Sequence, residues 1–147
     1  MRLTTLALAA TVIAGPAIAD DFVRKTSPHD VATTIDRLAE AVEAAGAKVF
    51  ARIDHAAGAE QAGLSLRPNT VLLFGNPKMG TPMMASSGSM GLDLPLKVVA
   101  YEAADGSVQV VYRDVPAMAA EHGAEAPTVA KAAGALDKLT NKAIAAE

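Results

Sequence analysis

The stretch from Leu96 to Arg113 restricts the fold more than any other part of the chain. Two runs rich in β-branched and aromatic residues, Leu96 to Glu102 and Ser107 to Arg113, flank an Asp105-Gly106 pair. Such a pair between two such runs signals a hairpin, because the turn demands backbone angles that Asp and Gly tolerate and most residues do not. On the second run Val108, Val110 and Tyr112 face one way, and Gln109, Val111 and Arg113 the other. The chain is thereby committed to a sheet with antiparallel pairing, whose other strands and cover must come from the remaining segments.

Those segments are readable in order. Phe22 to Lys25 suits a short strand. Ser27-Pro28-His29-Asp30 reads as a helix start, with Ser27 as N-cap, Pro28 at the first helical position and Asp30 at the third. Val31, Ile35, Leu38 and Val42 then form a helical apolar stripe, and Gly46 suits the position after its end. Lys48 to Asp54 reads as a strand with Val49, Ala51 and Ile53 on one face and Phe50 and Arg52 on the other. A short helix over residues 56–62, begun by Asp54 or His55 and ended by Gly63, leads to a turn at Arg67-Pro68-Asn69. Thr70 to Phe74 is nearly all apolar, the pattern of a central strand covered on both faces.

Gly75 to Leu94 holds four glycines, two prolines and four methionines, and is expected to be loop apart from a short helix opened by Pro82. Val115 to Glu121 suits a short helix ended by His122-Gly123. Pro127 opens a final helix with Val129, Leu136, Leu139 and Ala143 on its inner stripe. Gly134 inside that helix costs about 1 kcal/mol against alanine, and close backbone packing is the expected compensation. The chain is therefore α+β: strand, helix, four strands interrupted by a short helix and a long loop, then helix. The sheet is expected to be antiparallel or mixed, with both long helices on one face.

Residues 1–19 read as a secretory signal peptide: Arg2, an apolar run from Leu3 to Ile13, a Gly15-Pro16 break and a small-x-small site ending at Ala19. The apolar run is too short for a membrane span of about 20 residues. Cleavage after Ala19 leaves residues 20–147 as one domain in the bacterial periplasm or outside the cell, with no stable insertion of the mature chain in a membrane. The absence of cysteine excludes thiol chemistry and disulfides within the chain. Thirteen basic and sixteen acidic residues are interspersed, without the clustered positive surface that a phosphate backbone demands, so nucleic acid is not an expected partner.

His55, beside Asp54 at a strand end, is a candidate general base or metal ligand, and equally a helix-start residue whose neighbour Asp54 caps free N–H groups. Gly75 and Asn76 leave a buried strand and turn sharply. Gly75 and Gly80 allow close backbone approach, Asn76 can present its amide to a ligand or close an Asx turn, and Lys78 adds one positive charge. Met79, Met83, Met84 and Met90 supply thioethers, which with His29, His55 or His122 would suit Cu(I); the same methionines equally suit an irregular apolar core. Ser65, Ser86, Ser87 and Ser89 lack the nucleophile-elbow context of a hydrolase. No flavin, nicotinamide or Walker-type loop is present, and no cofactor is expected.

Several blocks in this order resemble one family: Ala51 to Ala57 with Asp54-His55, Gly63 to Pro68, Phe74-Gly75-Asn76-Pro77 continuing to Gly80-Thr81-Pro82, and Asp93-Leu94-Pro95-Leu96-Lys97. Together they are similar to the family described as domain of unknown function 302, over almost all of the mature chain. The resemblance implies a strand-helix-four-strands-helix fold of the TATA-binding-protein-like type and a homodimer. It implies no accepted activity, and it carries no function onto the methionine-, serine- and glycine-rich stretch after Pro82. The expected role is a ligand-binding or protein-interaction module whose partner is a small ligand or an envelope protein. The alternatives are an enzyme using His55 near the Asn76 turn, and a copper-binding module using the methionine-rich stretch.

Overall fold

The computed structural model describes residues 21–146, and the signal-peptide segment lies outside them. Its elements in chain order are β1 (Phe22–Ser27), α1 (Val31–Ala44), β2 (Lys48–Asp54), α2 (His55–Gln61), β3 (Asn69–Gly75), α3 (Pro77–Ser86), a 3-10 helix (Gly88–Leu92), β4 (Leu96–Glu102), β5 (Val108–Arg113), α4 (Val115–Glu121) and α5 (Thr128–Ala143). The predicted hairpin joins β4 to β5, with Gly106 at φ 83° in its turn. Asp105 accepts from the backbone N–H and the hydroxyl of Ser107, which holds Ser107 in the turn and starts β5 at Val108.

The five strands form one sheet in the order β1-β5-β4-β3-β2, antiparallel throughout. Alternate residues point to opposite faces. Leu72 and Phe74 of β3, Val98 and Ala100 of β4 and Val110 and Tyr112 of β5 share one face. They join a single core with Val31, Ile35, Leu38 and Val42 of α1, Met83 of α3, Met118 of α4 and Leu136 of α5. The predicted α1 stripe is thus entirely buried. On α5, Ala132 and Thr140 join Leu136 and Ala143 as buried positions, while Val129 and Leu139 are partly buried. Lys25 on β1 ties that edge strand to α5: its ammonium donates to Asp137 Oδ1 at 2.7 Å, Thr140 Oγ1 at 2.8 Å and Asn141 Oδ1 at 2.7 Å.

The opposite face carries Val71 and Leu73 of β3, Val99 and Tyr101 of β4, Val111 of β5 and Ile53 of β2. None of them belongs to the core cluster, although Val111 is only 9% exposed. The apolar run of β3 is therefore covered by helices on one face, not on both as its composition predicts.

Four local expectations are corrected. First, α1 begins at Val31, capped by Asp30, which accepts from Thr33 N–H at 2.7 Å. Ser27 is instead the buried last residue of β1, where its hydroxyl accepts from His29 N–H and bonds the Thr34 hydroxyl at 2.7 Å. Second, β2 is bulged at Phe50, because Val49 pairs with Phe74 but Ala51 with Leu73. An extra residue in one strand flips the alternation beyond it. Val49 consequently faces the core, Ala51 and Ile53 face the other side, and Arg52 reaches Asp36 of α1. Third, α3 begins at Pro77, not Pro82: Asn76 caps it by accepting from Lys78 N–H at 2.9 Å, and Pro82 lies within the helix. Fourth, nothing lies within 4 Å of the position a Cβ would take at Gly134, so that glycine serves no close helix packing.

Candidate functional site

The end of β3, α3, the Leu94–Leu96 segment entering β4, and Phe50 at the bulge surround a cavity of about 270 Å³. The bulge matters here: it frees Phe50 from strict alternation, and its ring stands at the rim, half exposed. The walls are almost wholly apolar, with Met79, Met83 and Met84 from α3, Leu94 and Pro95 opposite, and Ala132 of α5 at the back. The Leu94–Pro95 peptide is cis.

Two glycines leave this space open. A Cβ on Gly80 would stand 3.4 Å from Leu94 Cδ1 and 4.0 Å from Met84 Cε. One on Gly75 would stand 3.5 Å from Phe50 Cε2 and 3.7 Å from Pro95 Cβ. Each contact is ordinary in distance, yet every one of those partners lines the cavity, so a larger side chain at either position grows into it. An engineered apolar cavity of about 150 Å³ takes up benzene and stays dry otherwise. A larger space with such walls is suited to an apolar molecule of one or two rings, or a short alkyl chain.

Of the ligand candidates, Gly75, Asn76 and Gly80 line the cavity, while Lys78 is exposed and outside it. Asn76 closes the Asx turn, with its carbonyl oxygen on the α3 cap and its amide on Gly46 O at 3.4 Å, and it also lines the cavity. Asp54 and His55 are elsewhere. Asp54 caps α2 by accepting from Ala57 N–H at 2.9 Å, and His55 is exposed. Asp54 pairs with Thr70 near the start of β3, whereas Gly75 ends that strand, roughly 17 Å away at 3.3 Å per residue. His55 and Asn76 do not share a site. The methionines divide too: Met79, Met83 and Met84 line the cavity, and Met90 is fully buried in the core. No imidazole joins them, since His29, His55 and His122 are all absent from the lining, and no group of three or more His, Asp or Glu placed to hold a metal ion occurs among the described residues.

A second constellation was not legible in the sequence. His122, the C-terminal cap of α4, places Nε2 2.8 Å from Asp93 Oδ2 and Nδ1 2.9 Å from Ser89 Oγ. Arg113 of β5 donates to the same Asp93 oxygen at 2.9 Å and reaches Glu121 with its other nitrogen. Ser87 donates its hydroxyl to the His122 carbonyl at 2.7 Å. The Asp93 carboxyl is held below its ordinary value of 3.8, foremost by the His122 hydrogen bond and then by the Arg113 charge, against the opposing effect of burial. An acid depressed in the folded state stabilises the fold above its unfolded value and loses that contribution as pH falls through the folded one. Asp93→Asn is therefore expected to lower stability at pH 7 and to flatten the decline below about pH 4. Urea midpoints measured from pH 7 to pH 2.5 check this; parallel curves for the two proteins would contradict it.

The family model described as Domain of unknown function DUF302 matches residues 23–146. The crystal structure of an uncharacterized conserved protein DUF302 from Bacillus stearothermophilus shares the fold, with a TM-score of 0.70 over 86% of this chain and 97% of that one, at 19% identity. The chain is also 43% identical over 96 residues to the fluoride-specific ion channel FluC 1 of Brucella suis and to FluC 2 of Brucella melitensis, which covers 65% of this chain. It spans only 38% and 36% of those relatives. No helix among the described residues is long and apolar enough to cross a membrane.

Proposed function

Because the chain belongs to the DUF302 family, whose fold it shares with a solved member, its role must be read from what this sequence builds on that fold, and we propose that it is an exported binding module for a small apolar molecule held between α3 and the ends of β3 and β4. The cavity carries this reading: about 270 Å³, walled by thioether, aliphatic and aromatic groups, and kept open at Gly75 and Gly80. Burial of apolar surface supplies the affinity, and the flexible methionine side chains adapt the walls to the occupant. Removal of residues 1–19 places the domain in the periplasm or outside the cell.

Titration of the purified protein with N-phenyl-1-naphthylamine, a fluorophore that brightens in apolar surroundings, tests the reading. One saturating equivalent per chain is the expected result. Absence of saturable brightening would overturn it.

The homodimer belongs to the same reading, supported by the second sheet face. Val99 pairs with Val71 on one side and Val111 on the other, so the middle of that face is continuously apolar. Lys97, two residues along β4, is exposed near it, as is typical of an apolar patch with a polar rim. Native mass spectrometry over a concentration series should show dimers that Val99→Lys dissociates; monomers throughout would refute the assembly.

A further inference from the structure

The Ser89, His122 and Asp93 side chains lie outside the apolar cavity and answer to no part of the binding role. Their order of contact fixes their protons. Asp93 sits against the Arg113 guanidinium and is ionised at neutral pH, so it can only accept. The imidazole nitrogen facing it, Nε2, must then carry the hydrogen. In neutral His122 that leaves Nδ1 with a lone pair, and the group it meets at 2.9 Å is the hydroxyl of exposed Ser89. Ser89 has a second neighbour in Ser87 Oγ at 3.1 Å, but that oxygen is farther away and less basic than an imidazole nitrogen. Ser87 has already given its own hydrogen to the His122 carbonyl. The relay rests on firm supports: Met90, next to Ser89, is fully buried, and Asp93 is fixed by Arg113 from the central sheet.

We propose that Ser89 is an activated nucleophile toward short-chain carboxylic esters, with His122 as its general base and Asp93 as the group that orients His122. The hydroxyl oxygen attacks the ester carbonyl carbon while its proton passes to Nδ1, and the resulting imidazolium is held by Asp93. The tetrahedral adduct collapses with cleavage of the bond to the alcohol oxygen, which takes the proton from Nδ1. Water then attacks the acyl-Ser89 ester through the same base, which returns its proton to Ser89 and releases the carboxylic acid. One ester and one water become one acid and one alcohol, without redox change. Ser89 is exposed and absent from the cavity lining, so no apolar pocket holds a long acyl chain at its hydroxyl, and short acyl groups lose least by that. Arrangements of this kind are recognised by geometry and roles, not by position in the sequence.

A fluorophosphonate probe tests the proposal on the full chain. Intact mass and peptide mapping should show one adduct, on Ser89, that is absent from Ser89→Ala. General-base assistance is worth about 10²–10⁴-fold, so His122→Gln should slow labelling at least about a hundredfold. No adduct at millimolar probe, an adduct on another residue, or an unchanged rate in His122→Gln would overturn it. Should His122→Gln fail to fold, the wild-type rate against pH decides. A rise to a plateau following a single imidazole-like titration supports the relay. A rate proportional to hydroxide throughout, as for an unassisted hydroxyl, refutes it.

Discussion

Phe74→Ala lowers the stability of the domain by about 3–5 kcal/mol, the range for removing a buried aromatic ring and leaving the space behind it. Phe74 is 2% exposed and sits on β3 between Val49 of β2 and Leu96 of β4. Its ring belongs to the core that joins the sheet to α1 and α3. Strands hydrogen-bonded on both sides cannot move inward to refill the volume, so the cavity contribution persists. A domain of this size has about 5–15 kcal/mol in total, so the loss is a large share. Urea unfolding should show a markedly lower midpoint with an unchanged slope, and a melting temperature reduced by about 10–20 °C. A loss below about 1 kcal/mol would mean that the β3 end is not part of the core.

Gly80→Leu weakens occupation of the cavity at least about tenfold while leaving the fold intact. The new side chain leaves α3 between Leu94 and Met84, two of the groups that define the space. It fills a substantial part of the volume with its own carbons. Replacing a helical glycine also favours the helix by up to about 1 kcal/mol, which offsets minor crowding against Leu94. The affinity for N-phenyl-1-naphthylamine should therefore fall at least about tenfold, equivalent to about 1.4 kcal/mol, with a melting temperature equal to or above that of the parent. Unchanged affinity would place the fluorophore elsewhere on the protein. Lower affinity together with a much lower melting temperature would show that Gly80 serves the fold itself.

The elements whose side chains repeat with a clear period were legible in the sequence. Val31, Ile35, Leu38 and Val42 specify one face of α1, and the alternation on β5 with its Asp-Gly turn specifies the hairpin. The bulge was not legible, because KVFARID reads as a strand in either register. Only pairing with β3 decides which residue is the extra one. The start of α3 was obscured by two prolines five residues apart. Pro77 fills the first turn, where its missing N–H matters little, while Pro82 sits inside the helix, where proline is ordinarily a breaker. Gly75 and Gly80 mark the cavity in the sequence through the close backbone approach they allow, but nothing there separates Asn76 as a cap from Asn76 as a ligand group. His55 stands beside an acid in the sequence, but adjacent residues at a strand end point apart. His122 and Ser89 are 33 residues apart and are joined only by packing of the 3-10 helix against the end of α4. No local pattern records that juxtaposition.

The strand order also governs when the protein can become itself. Among the described residues β1, the first strand, pairs only with β5, the last, so residues 22–27 wait for residues 108–113. Closing so distant a pair is entropically slow, and no shorter portion of the chain can complete the sheet. Strands β2, β3 and β4 can pair as each one follows the last, but β1 stays without its neighbour until β5 is present. The topology thus couples completion of the sheet, and of the edge that Lys25 ties to α5, to the C-terminal third of the chain.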